Sequence, residues 1–229
     1  MVERQLPKLH TRVRFPSPAP SIEKCAALKN IGDIDPNSPS LSPEQFVQLV
    51  RANPINAALL ERLKPLSLPQ CHLVACCLFQ TAWNYRSGAP LMARIKDYDV
   101  FYFDDADLSW EAEDAVIGRV NAATADLCAE LGAVVEVKNQ ARVHLWYEKR
   151  FGTPCPRLTA ATEGIDRYLA AGLRLGIDAA TGELYAPGGV EEAWRGILRI
   201  NQHNPVPDRF REKAQDYQQR WPWLTIVEP

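Results

Sequence analysis

Two aspartates, Asp97 and Asp99, open a run of β-branched and aromatic residues at positions 100–103. Because the side chains of a strand alternate between its faces, residues i and i+2 project the same way, roughly 6–7 Å apart at Cα. Like charges this close repel each other unless a cation lies between them. Mg²⁺ prefers oxygen ligands, takes one or two carboxylates and fills its octahedron with water and substrate phosphates. The pair therefore predicts a magnesium-dependent phosphate-transfer site.

A third carboxylate, Glu136, lies in the apolar run Val134–Val137, which we predict to be the next strand. Three carboxylates on adjacent strands can hold two metal ions about 3.5–4 Å apart, one activating an acceptor hydroxyl and one orienting a triphosphate. The alternative is a surface loop, where two nearby aspartates are more often solvated than catalytic. We expect two Mg²⁺ ions, with Asp97, Asp99 and Glu136 as catalytic metal ligands.

Strands and helices alternate along the chain, which predicts a mixed α and β (α+β) fold. Ser42 followed by Pro43 is typical of a helix start, and Ser109 can cap a long helix that ends before Gly132. Strands are expected at 71–76, 97–103, 134–137, 173–177, 183–186 and 197–200, and further helices at 54–65, 78–86, 142–150, 162–171, 190–196 and 208–221.

Composition limits the classes of function. The 229 residues carry a net charge of −2 and are 46% hydrophobic, enough for one domain with a sizeable core but without a general attraction to nucleic acid. No apolar run approaches the length of a membrane span, and no signal peptide is visible. The six cysteines lack zinc-ligand spacing, which favours a cytoplasmic protein with free thiols.

Residues 1–41 are rich in Pro, Ser and Asn and lack apolar periodicity, so we expect a disordered leader followed by one domain over residues 42–229. Residues 11–20 resemble the translated 3′ end of a tRNA gene. We therefore hypothesise that residues 1–20 arise from an over-extended gene start.

Several segments carry a resemblance to a known family. The chain resembles the bacterial nucleotidyltransferase-like proteins of the DNA polymerase β-type nucleotidyltransferase superfamily from about residue 45 to about residue 205. The segments that carry this resemblance are Cys77–Asn84, Lys96–Asp104, Asp107–Asp114, Glu136–Tyr147 and Tyr185–Gly189.

The resemblance implies a core of a short mixed β-sheet flanked by helices, with helical N- and C-terminal additions. Asp97 and Asp99 match the metal pair of the superfamily, and Glu136 is the candidate for its third carboxylate. The reaction implied is attack of an acceptor hydroxyl on the α-phosphate of a nucleoside triphosphate, which releases pyrophosphate. Near-neutral charge favours a small-molecule acceptor over a long nucleic acid.

The resemblance also suggests nucleotide-binding residues. The superfamily has Gly-Gly or Gly-Ser at the turn after the first strand, where this chain has Cys76 and Cys77. Lys138, Asn139 and Arg142 are candidates for phosphate contacts, although such cations are often solvated and Asn139 could instead satisfy backbone groups. Because a Cβ at that turn crowds a triphosphate, a second function stays open: a catalytically silent nucleotide-binding or interaction protein on the same fold.

Overall fold

The computed structural model describes residues 31–227, and the order of its elements follows the predicted alternation. Two N-terminal helices precede a sheet whose strands are separated by helices, and a long helix lies near the C-terminus. The α-helices are α1 Pro43–Ala52, α2 Pro54–Leu63, α3 Cys76–Arg86, α4 Trp110–Leu131, α5 Tyr147–Phe151, α6 Ala161–Ile165, α7 Glu191–Arg195 and α8 Pro207–Arg220. The strands are β1 His72–Val74, β2 Tyr98–Tyr102, β3 Val135–Asn139, β4 Gly176–Asp178, β5 Leu184–Tyr185, β6 Ile197–Arg199 and β7 Thr225–Val227.

The main sheet has five strands in the order β3-β2-β1-β4-β5, and a separate two-stranded sheet pairs β6 with β7. β2 and β3 run parallel, while β1 pairs antiparallel with both β2 and β4. In this register Asp99 lies opposite Val74 on one side and Glu136 on the other. The mixed α+β fold, with helical additions at both ends, is confirmed.

The segment before α1 packs on the domain instead of forming part of a leader. Ile31 and Ile34 are buried in the core, and the Ile34 carbonyl accepts a 2.6 Å hydrogen bond from the Tyr85 hydroxyl. The indole of Trp194 donates to the carbonyl of Ser38 at 2.9 Å. The predicted domain boundary at residue 42 was therefore too late, because a segment without periodicity can still supply apolar plugs and carbonyl acceptors. The predictions for residues 1–30, including the gene-start hypothesis, lie outside the described residues.

Three element boundaries around Asp97 and Asp99 differ from the predicted ones. Helix α3 begins at Cys76 instead of Leu78, and β2 begins at Tyr98, so Asp97 lies just before the strand. The predicted helix over 142–150 is a 3₁₀ helix at Gln140–Leu145 followed by the short α5. Trp146 interrupts it with φ −130° and ψ −15°, a conformation outside the helical range.

Helix α3 is the central element of the core, and it sets the position of the cavity described below. Its residues 76–84 are all buried. The indole of Trp83 donates to the Ala193 carbonyl at 2.7 Å, and that of Trp221 donates to the Asn84 side-chain oxygen at 3.0 Å. The Tyr217 ring of α8 packs edge-on against Trp83. The contacts of Tyr217 and Trp221 hold the C-terminal end of α8 against the second half of α3.

Candidate functional site

A cavity of about 350 Å³ lies where the sheet, the start of α3 and helix α8 meet. Carboxylates and a lysine line one region of it, and aromatic rings and arginines line another. The lining residues that matter here are Cys76, Asp97, Asp99, Phe101, Glu136, Lys138, Trp146, Tyr147, Arg150, Phe151, Arg167, Tyr168, Arg209, Lys213 and Tyr217.

The two aspartates lie together, as their spacing predicts. One ligand atom from each of Cys76, Asp97 and Asp99 lies within 4.8 Å of the other two. Asp99 is held on β2 between two neighbouring strands, whereas Asp97 occupies the last position before the strand. The arrangement places two carboxylates and one thiol around a point at which a cation fits.

Glu136 and Lys138 face the same cavity from β3, because they are two residues apart on one strand. The Lys138 ammonium lies 2.7 Å from a Glu136 carboxylate oxygen and 3.2 Å from one of Asp99. Although burial opposes its charged form, the two carboxylates raise the pKa of Lys138. The lysine ammonium is therefore a built-in cation between the strands.

The carboxylates differ in electrostatic environment. Burial raises the pKa of Asp99, and the charges of Asp97 and Glu136 raise it further against the opposing effect of Lys138. Partial burial also works against the charge of Glu136, but the cations around it, Lys138 above all with Arg150 and Lys213, lower the pKa of that carboxyl. A single ammonium does not neutralise this cluster, and oxygen donors are the ligands that Mg²⁺ takes, so the residues present fit one divalent ion. Asp97 and Asp99 would hold it.

The turn between β1 and α3 carries an unusual backbone conformation, but not where we expected it. Ala75 has φ 53° and ψ −113°, and its amide donates to the Leu175 carbonyl at 3.0 Å. A positive φ of this kind is normally reserved for glycine. Cys76 and Cys77 are already the first two residues of α3. The position that calls for glycine is therefore Ala75.

The two cysteines play different parts. The Cys76 thiol lines the cavity 3.5 Å from the Tyr217 hydroxyl, and burial raises its pKa to about 11, so it is neutral near pH 7. The Cys77 thiol points back to the Val74 carbonyl at 3.5 Å and does not line the cavity. The side chain of Cys77 is therefore not available to a ligand in the cavity.

Arg142 and Asn139, both predicted to bind nucleotide, lie away from the cavity. Arg142 forms an ion pair with the buried Glu113 and donates through Nε to the Leu108 carbonyl at 3.0 Å. The side chain of Asn139 holds the 103–105 loop, since it donates to the Asp104 carbonyl at 2.7 Å and accepts from the Asp104 amide at 3.1 Å. Neither side chain lines the cavity, because Asn139 is engaged with the 103–105 loop and Arg142, on the 3₁₀ helix after β3, is paired with Glu113.

Four cations that the sequence did not single out also line the cavity: Arg150, Arg167, Arg209 and Lys213. None forms an ion pair with a residue in the described part of the chain. Arg209 and Lys213 are four residues apart on α8, a helical spacing that places both on one face and was visible in the sequence. Arg150 and Arg167 carried no such signal, because only the tertiary structure brings their segments to the cavity.

Comparisons with known proteins agree with this architecture. A solved structure described as an NMR structure that reveals a CCA-adding enzyme head domain is 19% identical, with a TM-score of 0.63 over 84% of this chain and 98% of that chain. Identity this low establishes the fold alone. No functionally curated protein shows significant similarity. Among the described residues, no helix combines the length and apolar character needed to span a membrane. A family profile described as "Nucleotidyltransferase" matches residues 61–226, which is most of the chain, and the protein therefore belongs to this nucleotidyltransferase family.

Proposed function

We propose that the protein is a Mg²⁺-dependent nucleotidyltransferase that transfers a nucleoside monophosphate from a nucleoside triphosphate to a hydroxyl acceptor. The observation that carries this proposal is the meeting of three carboxylates in one cavity. Asp97, just before β2, lies close to Asp99 on that strand, and the parallel β2–β3 register sets Glu136 directly opposite Asp99. Family membership supplies the class of reaction.

Each carboxylate has a distinct proposed part. Asp97 and Asp99 hold a divalent ion, which when bound neutralises charge on the phosphates and orients them for in-line attack. Glu136 keeps a lowered pKa and stays ionised, so it can complete the ligand set or accept the proton of the acceptor hydroxyl. Lys138 neutralises part of the cluster and takes the place of at least some of the charge that a second metal ion would supply.

The triphosphate would lie at the start of α3. The first amides of an α-helix have no intrahelical acceptor and, with the helix dipole, favour an anion. Cys76 brings that end of the helix to the cavity wall, and the Lys213 ammonium lines the same cavity without an ion pair to a described residue. The acceptor that we propose is a small molecule rather than a long nucleic acid. The described cysteines are free thiols, which fits the cytoplasmic location that we propose.

The test is pyrophosphate release and calorimetric binding of Mg²⁺–ATP and Mg²⁺–CTP. We expect wild type to bind at least one nucleotide, and Asp97→Asn and Asp99→Asn each to reduce turnover by roughly 10²–10³-fold or more. Asp114→Asn, which changes an exposed acid on α4, is the matched control and should leave nucleotide binding and turnover unchanged. Binding that is unaffected by the two cavity substitutions would refute the proposal.

A catalytically silent nucleotide-binding or interaction protein is the second candidate, and the turn before α3 favours it. Ala75 adopts a φ of 53° that strains any residue with a Cβ, and the Cys76 side chain occupies the cavity wall near the proposed phosphate position. If these side chains block the triphosphate, Cys76→Gly or Ala75→Gly should create nucleotide binding that wild type lacks. No gain in either variant would count against this candidate.

A further inference from the structure

Aromatic side chains, and no carboxylates of the described chain, position Arg167 and Arg209 in the cavity. The Arg209 guanidinium lies 3.7 Å from the centre of the Phe151 ring and 3.4 Å from the Tyr147 hydroxyl. The Arg167 guanidinium lies 5.8 Å from the centre of the Tyr147 ring. Aromatic rings orient a guanidinium while leaving its charge available for another partner. Two preorganised cations thus face one cavity with their charge unneutralised by any described acid.

Arg167 also has an unmet hydrogen-bond requirement. Its Nε atom is buried and has no partner among the described residues. A buried donor without an acceptor is unfavourable, and such atoms are rare in folded proteins. An oxyanion in the cavity would satisfy this donor. The feature therefore indicates a ligand that carries its own acceptor oxygens.

No hydrogen bond, ion pair or ring contact within the described chain joins the side chain of Arg167 or Arg209 to the start of α3. Lys213 and the start of α3 lie around Cys76, which is where we place the triphosphate. Arg167 and Arg209 instead contact the rings of α5, the helix that follows β3 and its Glu136. Glu136 is the carboxylate for which one proposed role is to accept the proton of the acceptor hydroxyl. These contacts assign the arginines to the part of the cavity beside α5, which the proposed triphosphate position leaves for the acceptor.

We infer that Arg167 and Arg209 bind a phosphate group of the acceptor, so that the acceptor is a small phosphomonoester with a free hydroxyl. This inference rests on the proposed function, because the protein has an acceptor substrate only if it is a nucleotidyltransferase. Paired guanidiniums match the oxygens of a phosphate, and the exposed Arg150, stacked on Phe151 at 5.4 Å, adds a third positive charge that suits a dianion better than a carboxylate. A cavity of about 350 Å³ falls in the range of small-molecule sites.

The test is calorimetry on the full chain with ribose 5-phosphate and with ribose as the matched compound without phosphate. Both titrations are run with saturating Mg²⁺ and a non-hydrolysable ATP analogue already bound. We expect ribose 5-phosphate to bind at least roughly tenfold more tightly than ribose, and Arg167→Met and Arg209→Met each to weaken it by roughly tenfold or more. Arg211 lies on the same helix as Arg209 and is ion-paired with Asp208, so Arg211→Met should leave the affinity for ribose 5-phosphate unchanged.

Nucleotide affinity separates the outcomes. Arg167→Met and Arg209→Met should retain the affinity for the ATP analogue, which also shows that they fold, whereas Lys213→Met should weaken the analogue and spare ribose 5-phosphate. The inference is overturned if the arginine variants weaken the analogue instead, or if ribose binds as well as its phosphate. It is also overturned if only an RNA oligonucleotide binds in an Arg209-dependent way. Arginine-dependent binding of ribose 5-phosphate in a protein that binds no nucleotide would refute the proposed function, and with it the acceptor role.

Discussion

Strand β3 separates two charged regions that are built very differently. On the α4 side, the buried Glu113 and Arg142 side chains are 7% and 11% exposed and form one ion pair. The Glu113 carboxylate also accepts a 2.8 Å hydrogen bond from the backbone amide of Asn139, and Arg142 donates to the Leu108 carbonyl at 3.0 Å. On the cavity side, Asp99 and Glu136 share the single ammonium of Lys138, Asp97 forms no ion pair within the described chain, and neither do the arginines beyond them.

The difference shows what separates a structural charge from a functional one. Arg142 and Arg209 are the same residue type, yet Arg142 is paired with a carboxylate and a carbonyl, whereas within residues 31–227 Arg209 is held only by a ring and a hydroxyl. A buried, fully paired charge stabilises one conformation of the chain. A charge left partly unpaired in a cavity is available to a ligand. Completeness of pairing therefore distinguishes the two regions better than residue identity.

The largest effect on stability should come from breaking the fully paired region. Glu113→Ala leaves Arg142 charged and buried, so we expect the free energy of unfolding to fall by about 3–5 kcal/mol. Urea denaturation measures it. Glu111→Ala, in the same helical turn but exposed, should change stability by less than about 0.5 kcal/mol. Equal losses in the two variants would show that the buried pair has no special role.

Lys138→Met tests the partly paired region. Without divalent ions the variant leaves Asp99 and Glu136 side by side without their ammonium, so unfolding free energy should fall by about 1–3 kcal/mol. Mg²⁺ should restore more stability to this variant than to wild type, because the ion no longer competes with the lysine. Thermal unfolding with and without Mg²⁺ measures both effects. Lys149→Met, exposed on α5, is the control, and equal Mg²⁺ responses would contradict the account.

Ala75→Gly should stabilise the protein. Relief of a positive φ contributes about 1–3 kcal/mol, against about 0.5–1 kcal/mol for the greater backbone entropy of glycine, so we expect a net gain of about 1 kcal/mol. The melting temperature reports it. Ala82→Gly, in the ordinary helical interior of α3, should lose about 1 kcal/mol. A loss at both positions would mean that Ala75 is not strained.

The smallest effect is expected at Arg209. Arg209→Met removes no ion pair within the described chain and keeps apolar contact with Phe151, so unfolding free energy should change by less than about 0.5 kcal/mol. Chemical denaturation measures the unfolding free energy of this variant and of Arg142→Met, which removes the partner of Glu113 and should lose much more stability. A large loss in Arg209→Met would assign that arginine to the fold and weaken its role in binding.

The sequence indicated that Asp97, Asp99 and Glu136 come together, because local spacing determines most of that arrangement. Two aspartates at a strand start and a glutamate on the next strand need only correct pairing of β2 with β3 to meet, and the structure has that pairing. The fold class followed from the alternation of elements in the same way. Asn139 was harder to assign from the sequence: of its two readings, the structure shows contacts with backbone groups of the 103–105 loop.

The arginine region was not predictable by the same reasoning. Arg167 follows α6 and Arg209 lies on α8, and only long-range packing brings both to the rings of α5. The burial of the segment before α1 was missed for a related reason, since Ile31 and Ile34 are isolated apolar residues without a period. Contacts between distant segments depend on the whole tertiary structure, and sequence patterns describe neighbours only.

The central claim is that Asp97 and Asp99 hold a divalent cation, and Mn²⁺ binding followed by electron paramagnetic resonance tests it most directly. Free Mn²⁺ gives the sharp signal that bound Mn²⁺ loses, so the titration counts bound ions without needing any turnover. We expect saturable binding in wild type, loss of that binding in Asp97→Asn and Asp99→Asn, and retention in Asp114→Asn. Binding that persists in both cavity variants, or no saturable binding in wild type with or without nucleotide, would contradict the account.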